Sequence, residues 1–253
     1  MSESRARPAA FVTGASQGLG AAIALRLARD GYDVAVSGRK RESLGDTVKK
    51  LQALRARAVP VELDLGSQDS IGRALAEAAA SLGQLDVLVN NAAVTLRRPA
   101  LEVTPDEWRA VMDVNLTGTF FLSQLMARHL IAHGVAGCIV NLTSTHGIVA
   151  LAQRSTYGIS KGAIIHMTRT LAYEWAGHGI RVNAIAPATV ETPTRAEYFD
   201  TNPGTREALL ARVPMGRFAT MEEVTGAVAY LVSADASYLT GHTLVLDGGL
   251  TTY

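Results

Sequence analysis

The sequence has a single cysteine, Cys138, among its 253 residues. One thiol allows no internal disulfide and no cysteine-rich zinc site, and it gives no sign of an oxidising compartment. The chain also lacks an excess of charge of either sign, because 24 Lys and Arg residues stand against 23 Asp and Glu residues, a formal net charge of +1. This balance argues against a nucleic-acid partner and against an anionic membrane surface.

Long hydrophobic runs are missing as well. The N-terminus has no apolar core of a signal peptide, so we expect residues 1–8 to be a short disordered tail and the protein to be cytoplasmic. The segment from His129 to Gln153 has no Asp, Glu, Lys or Arg, but Asn141 and several glycines interrupt it. This pattern predicts a buried strand flanked by turns rather than a membrane-spanning helix.

The chain does have a regular alternation of apolar β-branched runs with Ala/Leu-rich amphipathic runs, which indicates β-α-β units. Strands are predicted at Ala9 to Thr13, Asp33 to Ser37, Ala58 to Leu63, Leu85 to Asn90, Gly137 to Thr143, Arg181 to Ile185 and Thr243 to Leu246. Helices are predicted at Leu19 to Arg29, Arg41 to Arg55, Gln68 to Ser81, Asp106 to His133, Tyr157 to Ala176 and Met221 to Ser233. Strands that are apolar throughout need cover on both faces, so residues 9–253 should form one doubly wound α/β domain.

The loop after the first predicted strand carries three glycines, Gly14, Gly18 and Gly20, and a helical pattern begins at Leu19. Glycines at such a place allow a tight turn and bring backbone N–H groups close to a pyrophosphate, while the helix N-terminus supplies partial positive charge. A three-glycine turn alone is weak evidence. Its place between the first strand and the first helix favours a phosphate cradle over a plain turn.

The end of the second strand, Ser37-Gly38-Arg39, has no acidic residue. In dinucleotide-binding folds an acid at this place bonds the 2′-hydroxyl of the ribose and would repel a 2′-phosphate. Ser37 can donate a hydrogen bond and the guanidinium of Arg39 can face a phosphate, so the pattern favours NADP over NAD. A solvated basic helix start is the alternative.

Tyr157 and Lys161 open a predicted helix, and their i, i+4 spacing puts the phenol and the ammonium on one face. A nearby cation favours the phenolate, so Tyr157 could exchange protons near neutral pH. Ser144 ends the fifth predicted strand, where its hydroxyl could hold a substrate oxygen beside the phenol. By itself, a Tyr-x-x-x-Lys pair is common on helix surfaces.

Together these residues make the chain resemble the short-chain dehydrogenase/reductase family, in its 250-residue form, from the first strand to the C-terminus. The matching pieces are Thr13-Gly14-x-x-x-Gly18-x-Gly20, Asp64, Asn90-Asn91-Ala92, Asn115, Ser144, Tyr157-x-x-x-Lys161, Pro187 with Thr192, and Asp247-Gly248-Gly249. The resemblance implies a Rossmann-type doubly wound sheet of seven parallel strands with helices on both faces. It also implies reversible hydride transfer between a nicotinamide ring and a carbonyl or alcohol.

The resemblance further implies four catalytic residues. Tyr157 would be the general acid/base, and Ser144 would hold the carbonyl oxygen. Lys161 would lower the pKa of Tyr157 and bond the nicotinamide ribose, and Asn115 would anchor a water in a proton relay. The presence of all four argues against a degenerate relative.

The same resemblance implies a cofactor site. Asp64 would bond the adenine, Asn91 would fix the central strand and the cofactor floor, and Thr192 would bond the carboxamide. The full expected cofactor set is Gly14, Ser16, Gln17, Gly18, Leu19, Gly20, Ser37, Gly38, Arg39, Asp64, Leu65, Asn91, Ala92, Ala93, Tyr157, Lys161, Pro187, Val190 and Thr192. Ala93 and Ala188 depart from the family pattern, which usually has glycine at both positions.

The substrate is expected to be a small polar molecule of sugar or polyol type, bound by Ser144, His146 and Tyr157. Its floor would be Ser144-Thr145-His146, and the polar stretch from Ala188 to Arg212, interrupted by Pro193 and Pro203, would be its lid. An apolar wall remains an alternative, made by Ile148, Val149, Leu151, Tyr198 and Phe199. No metal site is expected, because His129 and His133 have ligand spacing but no third partner nearby.

We expect a homotetramer, because the helices Asp106 to His133 and Tyr157 to Ala176 are apolar on more than one face. The residues behind this expectation are Phe120, Phe121, Leu125, Ile164, Ile165, Met167, Leu171 and Trp175. Two other functions compete with the polar-substrate oxidoreductase. One is an NADP(H)-sensing module without turnover, which has no need of a proton relay. The other is a 3-oxoacyl reductase for carrier-bound chains, for which only Arg128 stands near the fifth strand to dock an acidic carrier.

Overall fold

The structure, a computed structural model, describes residues 7–252. Most of the predicted disordered tail lies outside these residues, but its last two members are described. The Nε of Arg7 donates to the carbonyl oxygen of Gly31 at 2.9 Å, and the carbonyl oxygen of Pro8 accepts from the backbone N–H of Asp33 at 2.9 Å. These bonds attach both residues to the domain.

A parallel sheet lies at the centre of the described chain, with the strand order β3-β2-β1-β4-β5-β6-β7. The strands are β1 Ala9–Val12, β2 Asp33–Gly38, β3 Ala58–Glu62, β4 Val87–Asn90, β5 Gly137–Leu142, β6 Ile180–Pro187 and β7 Thr243–Leu246. This order confirms the Rossmann-type doubly wound fold. The order reverses between β1 and β4, so a ligand crevice is expected at the carboxyl ends of these two strands.

Helices cover both faces of the sheet. They are α1 Gly18–Arg29, α2 Gly45–Ala53, α3 Gln68–Leu82, α4 Pro105–Met112, α5 Thr119–His133, α6 Ser155–Trp175, α7 Pro193–Thr201, α8 Thr205–Leu210 and α9 Met221–Val232. On one face Phe11, Leu122 and Ile164 belong to one buried apolar cluster, and on the other Ile23 and Val228 belong to a second. Burying one such side chain contributes roughly 1.5–3 kcal/mol, so the two layers hold the sheet between them.

The sequence predicts one long helix from Asp106 to His133, but the structure divides it. A π turn at Asp113–Gly118 separates α4 from α5. A Cβ on Gly118 would lie 2.3 Å from the carbonyl oxygen of Leu65, so this turn packs directly on the loop after β3. π turns often occur at functional sites, and this one contains Asn115.

The polar stretch from Ala188 to Arg212 contains two helices that the sequence analysis does not predict, α7 and α8. Pro193 was interpreted as an interruption, but it is the first residue of α7. A proline fits this position because its fixed φ suits a helix start and its missing N–H has no partner there in any case. The Oγ of Thr192 caps the same helix by accepting from the backbone N–H of Arg195 at 3.2 Å.

Three of the apolar residues assigned to a subunit interface face the core instead. Ile164, Met167 and Leu171 are buried against the sheet. The others on these helices, Phe120, Phe121, Leu125, Ile165 and Trp175, are only partly buried.

Among the described helices, none combines the length and the apolar character needed to span a membrane.

Candidate active site

The glycine turn after β1 is built by close backbone contacts. Gly14 has a φ of +65°, and a Cβ there would lie 2.8 Å from the Cα of Ala92. A Cβ on Gly20 would lie 2.2 Å from the carbonyl oxygen of Gly14, so the start of α1 rests on the turn. At Gly18, where φ is +58°, a Cβ would meet nothing within 4 Å. An open approach to a helix N-terminus fits a phosphate group.

The floor of the crevice joins the ends of β1 and β4. The Oγ1 of Thr13 accepts from the backbone N–H groups of Asn91 and Ala92, each at 3.0 Å. The Nδ2 of Asn91 donates back to the carbonyl oxygens of Thr13 at 2.9 Å and Gly14 at 3.1 Å. These bonds fix the two strand ends on either side of the point where the strand order reverses.

The end of β2 borders the same turn, because the backbone N–H of Ala15 donates to the carbonyl oxygen of Ser37 at 2.8 Å. The Oγ of Ser37 is buried and has no hydrogen-bond partner in the described chain. Arg39 is exposed and forms no ion pair with residues 7–252, whereas Arg41 is bonded to Glu77 at 2.7 Å. The strand end therefore presents an unsatisfied hydroxyl and an exposed guanidinium next to the glycine turn.

The other expected cofactor residues lie at the same edge of the sheet. Ser16, Gln17 and Leu19 belong to the glycine turn or open α1, Asp64 and Leu65 follow β3, Ala93 follows β4, Pro187 ends β6, and Val190 and Thr192 lead into α7. The Oδ1 of Asp64 accepts from the backbone N–H of Gly66 at 2.9 Å. Val190 pairs with Ala219 in an isolated bridge that holds the base of the lid.

Tyr157, Lys161 and Ser144 meet at the carboxyl end of β5. A hydrogen-bonding interaction with the Ser144 side chain acts to lower the pKa of Tyr157. The Nζ of Lys161 lies 5.6 Å from the centre of the Tyr157 ring and donates to the carbonyl oxygen of Leu142 at 2.7 Å. The structure therefore brings together the three side chains that the sequence pattern singles out.

Burial controls the protonation of this group. It raises the pKa of Tyr157, while the hydrogen bond to Ser144 and the charges of Arg154 and Arg195 act in the opposite direction. Burial also lowers the pKa of Lys161 to about 8. The sequence analysis expected a lowered pKa for Tyr157. In the structure the direction is upward, because removing a phenolate from water outweighs the opposing groups. At neutral pH, Tyr157 is a neutral phenol and Lys161 is mostly a cation.

Asn115 is fully buried in the π turn between α4 and α5. Its Nδ2 donates to the carbonyl oxygen of Val94 at 2.9 Å and to the Oγ of Ser160 at 3.1 Å. Its Oδ1 accepts from the backbone N–H of Val94 at 2.8 Å. The Oγ of Ser160 donates in turn to the carbonyl oxygen of Tyr157 at 2.8 Å, so Asn115 is linked to the helix turn that carries the phenol.

Small residues hold the loop after β5 against α6, a feature that the sequence analysis missed. A Cβ on Gly147 would lie 2.7 Å from the backbone N of Gly162, and one on Gly158 would lie 2.8 Å from the carbonyl oxygen of His146. A side chain at either position would push the loop and the helix apart. The signal was present in the sequence, since glycine is unfavourable inside a helix, and Gly158 and Gly162 directly follow Tyr157 and Lys161.

His146 lies beside Tyr157, with the two ring centres 6.0 Å apart and nearly perpendicular. Burial lowers the pKa of His146, and the charges of Arg154, Arg195 and Arg212 lower it further. His146 is therefore neutral at physiological pH. Its position agrees with the expected substrate floor, but the sequence analysis did not assign the arginines around it to the site.

The cavity behind the lid is a separate feature. It has a volume of about 450 Å³ and is lined mainly by Val213, Met215, Phe218 and the turn after β7. Ser144, His146 and Tyr157 do not line it. The chemistry therefore belongs to the crevice at the end of β5 and not to this cavity.

The two histidines with metal-ligand spacing make other contacts. The Nε2 of His129 accepts from the backbone N–H of Leu85 at 3.2 Å, and the Nδ1 of His133 lies 2.7 Å from the carbonyl oxygen of His129. Within residues 7–252, no three His, Cys, Asp or Glu side chains are grouped as metal ligands would be. The pair stabilises the end of α5.

Comparison with known proteins agrees with this geometry. The family model described as "Enoyl-(Acyl carrier protein) reductase" matches residues 14–251. A 3beta-hydroxysteroid dehydrogenase 1 from Eggerthella lenta is 39% identical over 243 residues, which cover 96% of this chain and 93% of the relative.

Two solved structures are similar over almost the whole chain. A gluconate 5-dehydrogenase from Burkholderia cenocepacia J2315, in complex with NADP and tartrate, has a TM-score of 0.91 and 32% identity, covering 97% of this chain and 96% of that one. An NAD⁺-bound xylitol dehydrogenase has a TM-score of 0.90 and 30% identity, covering 97% of this chain and 100% of that one. The match to the family model and to relatives along almost the whole chain shows that the chain belongs to the short-chain dehydrogenase/reductase family, the NAD(P)-dependent oxidoreductases of alcohol and carbonyl groups.

Proposed function

We propose that this chain interconverts a carbonyl and an alcohol on a small polar substrate, with NADP(H) as the hydride carrier. The observation that carries the proposal is the buried ammonium of Lys161, 5.6 Å from the centre of the Tyr157 ring, at the strand end that also carries Ser144. A phenol, a second hydroxyl and a cation meet at one point of a crevice whose glycine turn fits a dinucleotide. This arrangement suits proton transfer at a substrate oxygen next to a bound nicotinamide.

In the reducing direction, the hydroxyl of Tyr157 gives its proton to the carbonyl oxygen of the substrate, and in the oxidising direction the tyrosinate takes it back. The nicotinamide cofactor supplies or accepts the hydride at the substrate carbon. The raised pKa of Tyr157 keeps the phenol protonated at neutral pH, which suits the reducing direction. The Oγ of Ser144 holds the substrate oxygen within reach of the phenol.

Lys161 and Asn115 support this proton transfer. The mostly protonated Lys161 stabilises the tyrosinate that remains after reduction, because the opposite charge lies close to it in a buried site. The side chain of Asn115 is already bonded to Val94 and Ser160. A relay water would therefore bind to backbone groups of the π turn and not to the Asn115 side chain. In this turn the backbone hydrogen bonds depart from the regular α-helical pattern.

The residues at the end of β2 support NADP over NAD. Arg39 is exposed and free of ion pairs within the described chain, so its guanidinium is available to a 2′-phosphate. The buried Oγ of Ser37 lacks a partner beside it. No acid stands at this strand end to bond a 2′-hydroxyl, which is the feature that would favour NAD.

A sugar or polyol type of substrate is favoured by the polar side chains at the site. Ser144 and His146 form one side, and Arg195 and Tyr198 approach from α7. The gluconate and xylitol dehydrogenases among the similar structures act on molecules of this kind. The steroid dehydrogenase relative points to an apolar substrate, for which Phe199 and Ile148 are the candidate wall. The reduction of carrier-bound acyl chains is a further alternative, because it agrees with the description of the matching family model.

Association into a homotetramer is also proposed, because α4, α5 and α6 expose apolar side chains. Trp108, Ile131 and Ile159 are 38%, 42% and 50% exposed, and the rings of Phe120 and Phe121 pack edge to face on α5 while remaining partly exposed. Apolar surface shared by neighbouring helices is typical of a symmetric subunit interface. A monomeric mass by light scattering at micromolar concentration would contradict this.

A substrate panel tests the catalytic proposal. Polyols, aldoses, sugar acids, steroids and 3-oxoacyl thioesters are each run with NADP(H) and with NAD(H), and nicotinamide absorbance is followed. Polar substrates with NADP(H) should give the highest kcat/KM. A preference of tenfold or more for hydrophobic ketones or for thioesters would overturn the polar-substrate assignment. The absence of turnover with every substrate and both cofactors would overturn the assignment as an enzyme.

A further inference from the structure

Four arginines surround the mouth of the active site from three segments of the chain. Arg97 lies in the loop after β4, Arg154 immediately precedes α6, and Arg195 and Arg212 belong to the lid. The charges of Arg154, Arg195 and Arg212 all act on His146, and those of Arg154 and Arg195 also act on Tyr157. Positive charge is therefore concentrated around His146 and Tyr157.

Three of these arginines lack a carboxylate partner. The guanidinium of Arg97 donates to the side-chain oxygen of Gln153 and to the hydroxyl of Tyr198, both neutral. The guanidinium of Arg195 lies 5.6 Å from the ring centre of Tyr198. Within residues 7–252 the structure gives Arg97, Arg154 and Arg195 no ion pair.

Several arginines elsewhere in the described chain have a carboxylate partner, although the exposed Arg39 has none. Arg26, Arg41, Arg109 and Arg217 each bond a carboxylate at 2.7–2.8 Å. Water screens an exposed charge, so the greater need for a counter-charge is at the partly buried Arg154. Within residues 7–252, neither Arg154 nor Arg195 has a carboxylate partner, although both charges act on Tyr157.

The backbone around Arg154 is held in an unfavourable conformation. Gln153 has a φ of +62°, in the left-handed region that non-glycine residues rarely adopt. Contacts with the loop after β4 keep it there, since its carbonyl oxygen accepts from the backbone N–H of Arg98 at 3.0 Å and its side chain accepts from Arg97 at 3.0 Å. Strain of this kind is retained where the surrounding structure fixes a functional geometry, and here it lies one residue before Arg154, which precedes α6.

We propose that the substrate is a hydroxy or oxo acid whose carboxylate is bound by Arg154 and Arg195, beside the carbon that reacts next to Tyr157. The inference rests on the proposed function and narrows it from polar molecules to carboxylic acids. Arg154 comes from the fixed start of α6 and Arg195 from the lid, so an acid bridging them would draw the lid towards the catalytic residues. The planar fork of a guanidinium matches a carboxylate with two parallel hydrogen bonds.

Pairs of substrates that differ in charge alone test this directly. Six-carbon aldonates are compared with the alditols of the same configuration, and 2- and 3-hydroxy acids with their primary amides, all with NADP⁺. We expect kcat/KM to be at least tenfold higher for each acid, and KM for the acids to rise with ionic strength while KM for the neutral partners stays constant. Equal or better kcat/KM for the neutral partners would overturn the proposal.

Arginine variants test the assigned residues. Arg154→Ala and Arg195→Ala should each raise KM for the acid about ten- to a hundredfold, and the loss of kcat/KM should be at least tenfold larger for the acid than for its neutral partner. Arg154→Lys should recover part of the loss. Arg109→Ala, which removes an exposed charge from α4, should leave the kinetic constants for both substrates unchanged. An equal fall in kcat/KM for the acid and for its neutral partner would contradict a contact between these arginines and the carboxylate.

The two proposals fail in different ways. Turnover of alditols or other neutral alcohols that requires Tyr157, without any preference for acids, overturns the carboxylate inference and leaves the oxidoreductase intact. If neither the acids nor their neutral partners show turnover that depends on Tyr157, the proposed function itself is overturned. A preference for phosphate esters over carboxylates of the same carbon skeleton would overturn the carboxylate assignment.

Discussion

The ammonium of Lys161 donates to the carbonyl oxygen of Leu142 at 2.7 Å, and this bond ties the second turn of α6 to the last residue of β5. Ser144 follows that strand end by two residues, and Tyr157 lies one helical turn before Lys161. One buried bond therefore sets the distance between the two hydroxyl groups of the candidate active site. It also fixes the cation beneath the ring of Tyr157.

Replacing the ammonium of Lys161 should remove both the bond that positions α6 against β5 and the positive charge beside Tyr157. We expect Lys161→Met to lower kcat by at least a hundredfold and to raise KM for NADP, because the cation near the phenol and the bond to Leu142 are lost together. Steady-state kinetics with the best substrate measure both constants. Lys49→Met, which removes an exposed charge from α2, is the control. A variant with wild-type kcat would exclude Lys161 from the proton transfer.

Tyr157→Phe removes the transferable proton and little else. We expect kcat to fall by a factor of about 10² to 10⁴, while the dissociation constant for NADP measured by calorimetry stays within about threefold. Tyr173→Phe, at a side chain that is 89% exposed, should leave both constants unchanged. Retention of most of the activity in Tyr157→Phe would show that the proton takes another path.

The strands and the catalytic residues could be predicted because local patterns determine them. The apolar run that predicts a strand from Gly137 to Thr143 forms β5 at Gly137–Leu142, and the spacing of Tyr157 and Lys161 puts both on one helix face. The two helices of the lid, α7 and α8, could not be predicted, since a polar segment has no apolar periodicity and Pro193 resembles a break. Its helix start depends on the cap by Thr192, which a pattern of hydrophobic residues does not report.

Other features depend on residues that are distant in the sequence. The π turn at Asp113–Gly118 is shaped by the contact of Gly118 with Leu65, about fifty positions earlier. The upward direction of the Tyr157 pKa follows from burial, and spacing alone indicated only the nearby cation. The concentration of charge around His146 joins Arg154 to Arg195 on the lid, and the two are about forty positions apart.

The cofactor preference depends on Arg39. We expect Arg39→Ala to raise KM for NADP by tenfold or more and to change KM for NAD by less than twofold, because only the 2′-phosphate contacts the guanidinium. Arg29→Ala, on the exposed end of α1, is the matched control. If the wild-type protein used NAD as efficiently as NADP, the interpretation of this strand end would be wrong.

Gly158 should be indispensable to the packing of the catalytic loop. In a helix, Gly→Ala normally stabilises by roughly 0.5–1 kcal/mol, but a Cβ on Gly158 would lie 2.8 Å from the carbonyl oxygen of His146. We therefore expect Gly158→Ala to lower the free energy of unfolding by about 1–3 kcal/mol and to reduce kcat, since the loop carrying Ser144 must move. Gly72→Ala on α3, where a Cβ meets nothing within 4 Å, should instead stabilise the protein. Urea unfolding of both variants measures the contrast, and equal stabilisation of the two would contradict the close packing.

The burial of Lys161 should appear in the pH dependence of stability. Its pKa is about 8 in the folded protein against an ordinary value of 10.5, so between these pH values the unfolded chain binds more protons than the folded one. The contribution of Lys161 to stability therefore rises with pH through this window, by up to about 3 kcal/mol, as the penalty for burying a charged ammonium disappears.

Comparison with Lys161→Met isolates this contribution. The buried thiol of Cys138, whose pKa burial raises to about 11, and the phenol of Tyr157 also titrate at alkaline pH, but both are present in the two proteins. Urea unfolding at intervals from pH 7 to pH 10 gives the difference in the free energy of unfolding between wild type and variant. This difference should shift in favour of the wild type as the pH rises, because only the wild type loses a buried charge. A difference that stays constant across the range would show that the ammonium of Lys161 is not buried as a cation at neutral pH.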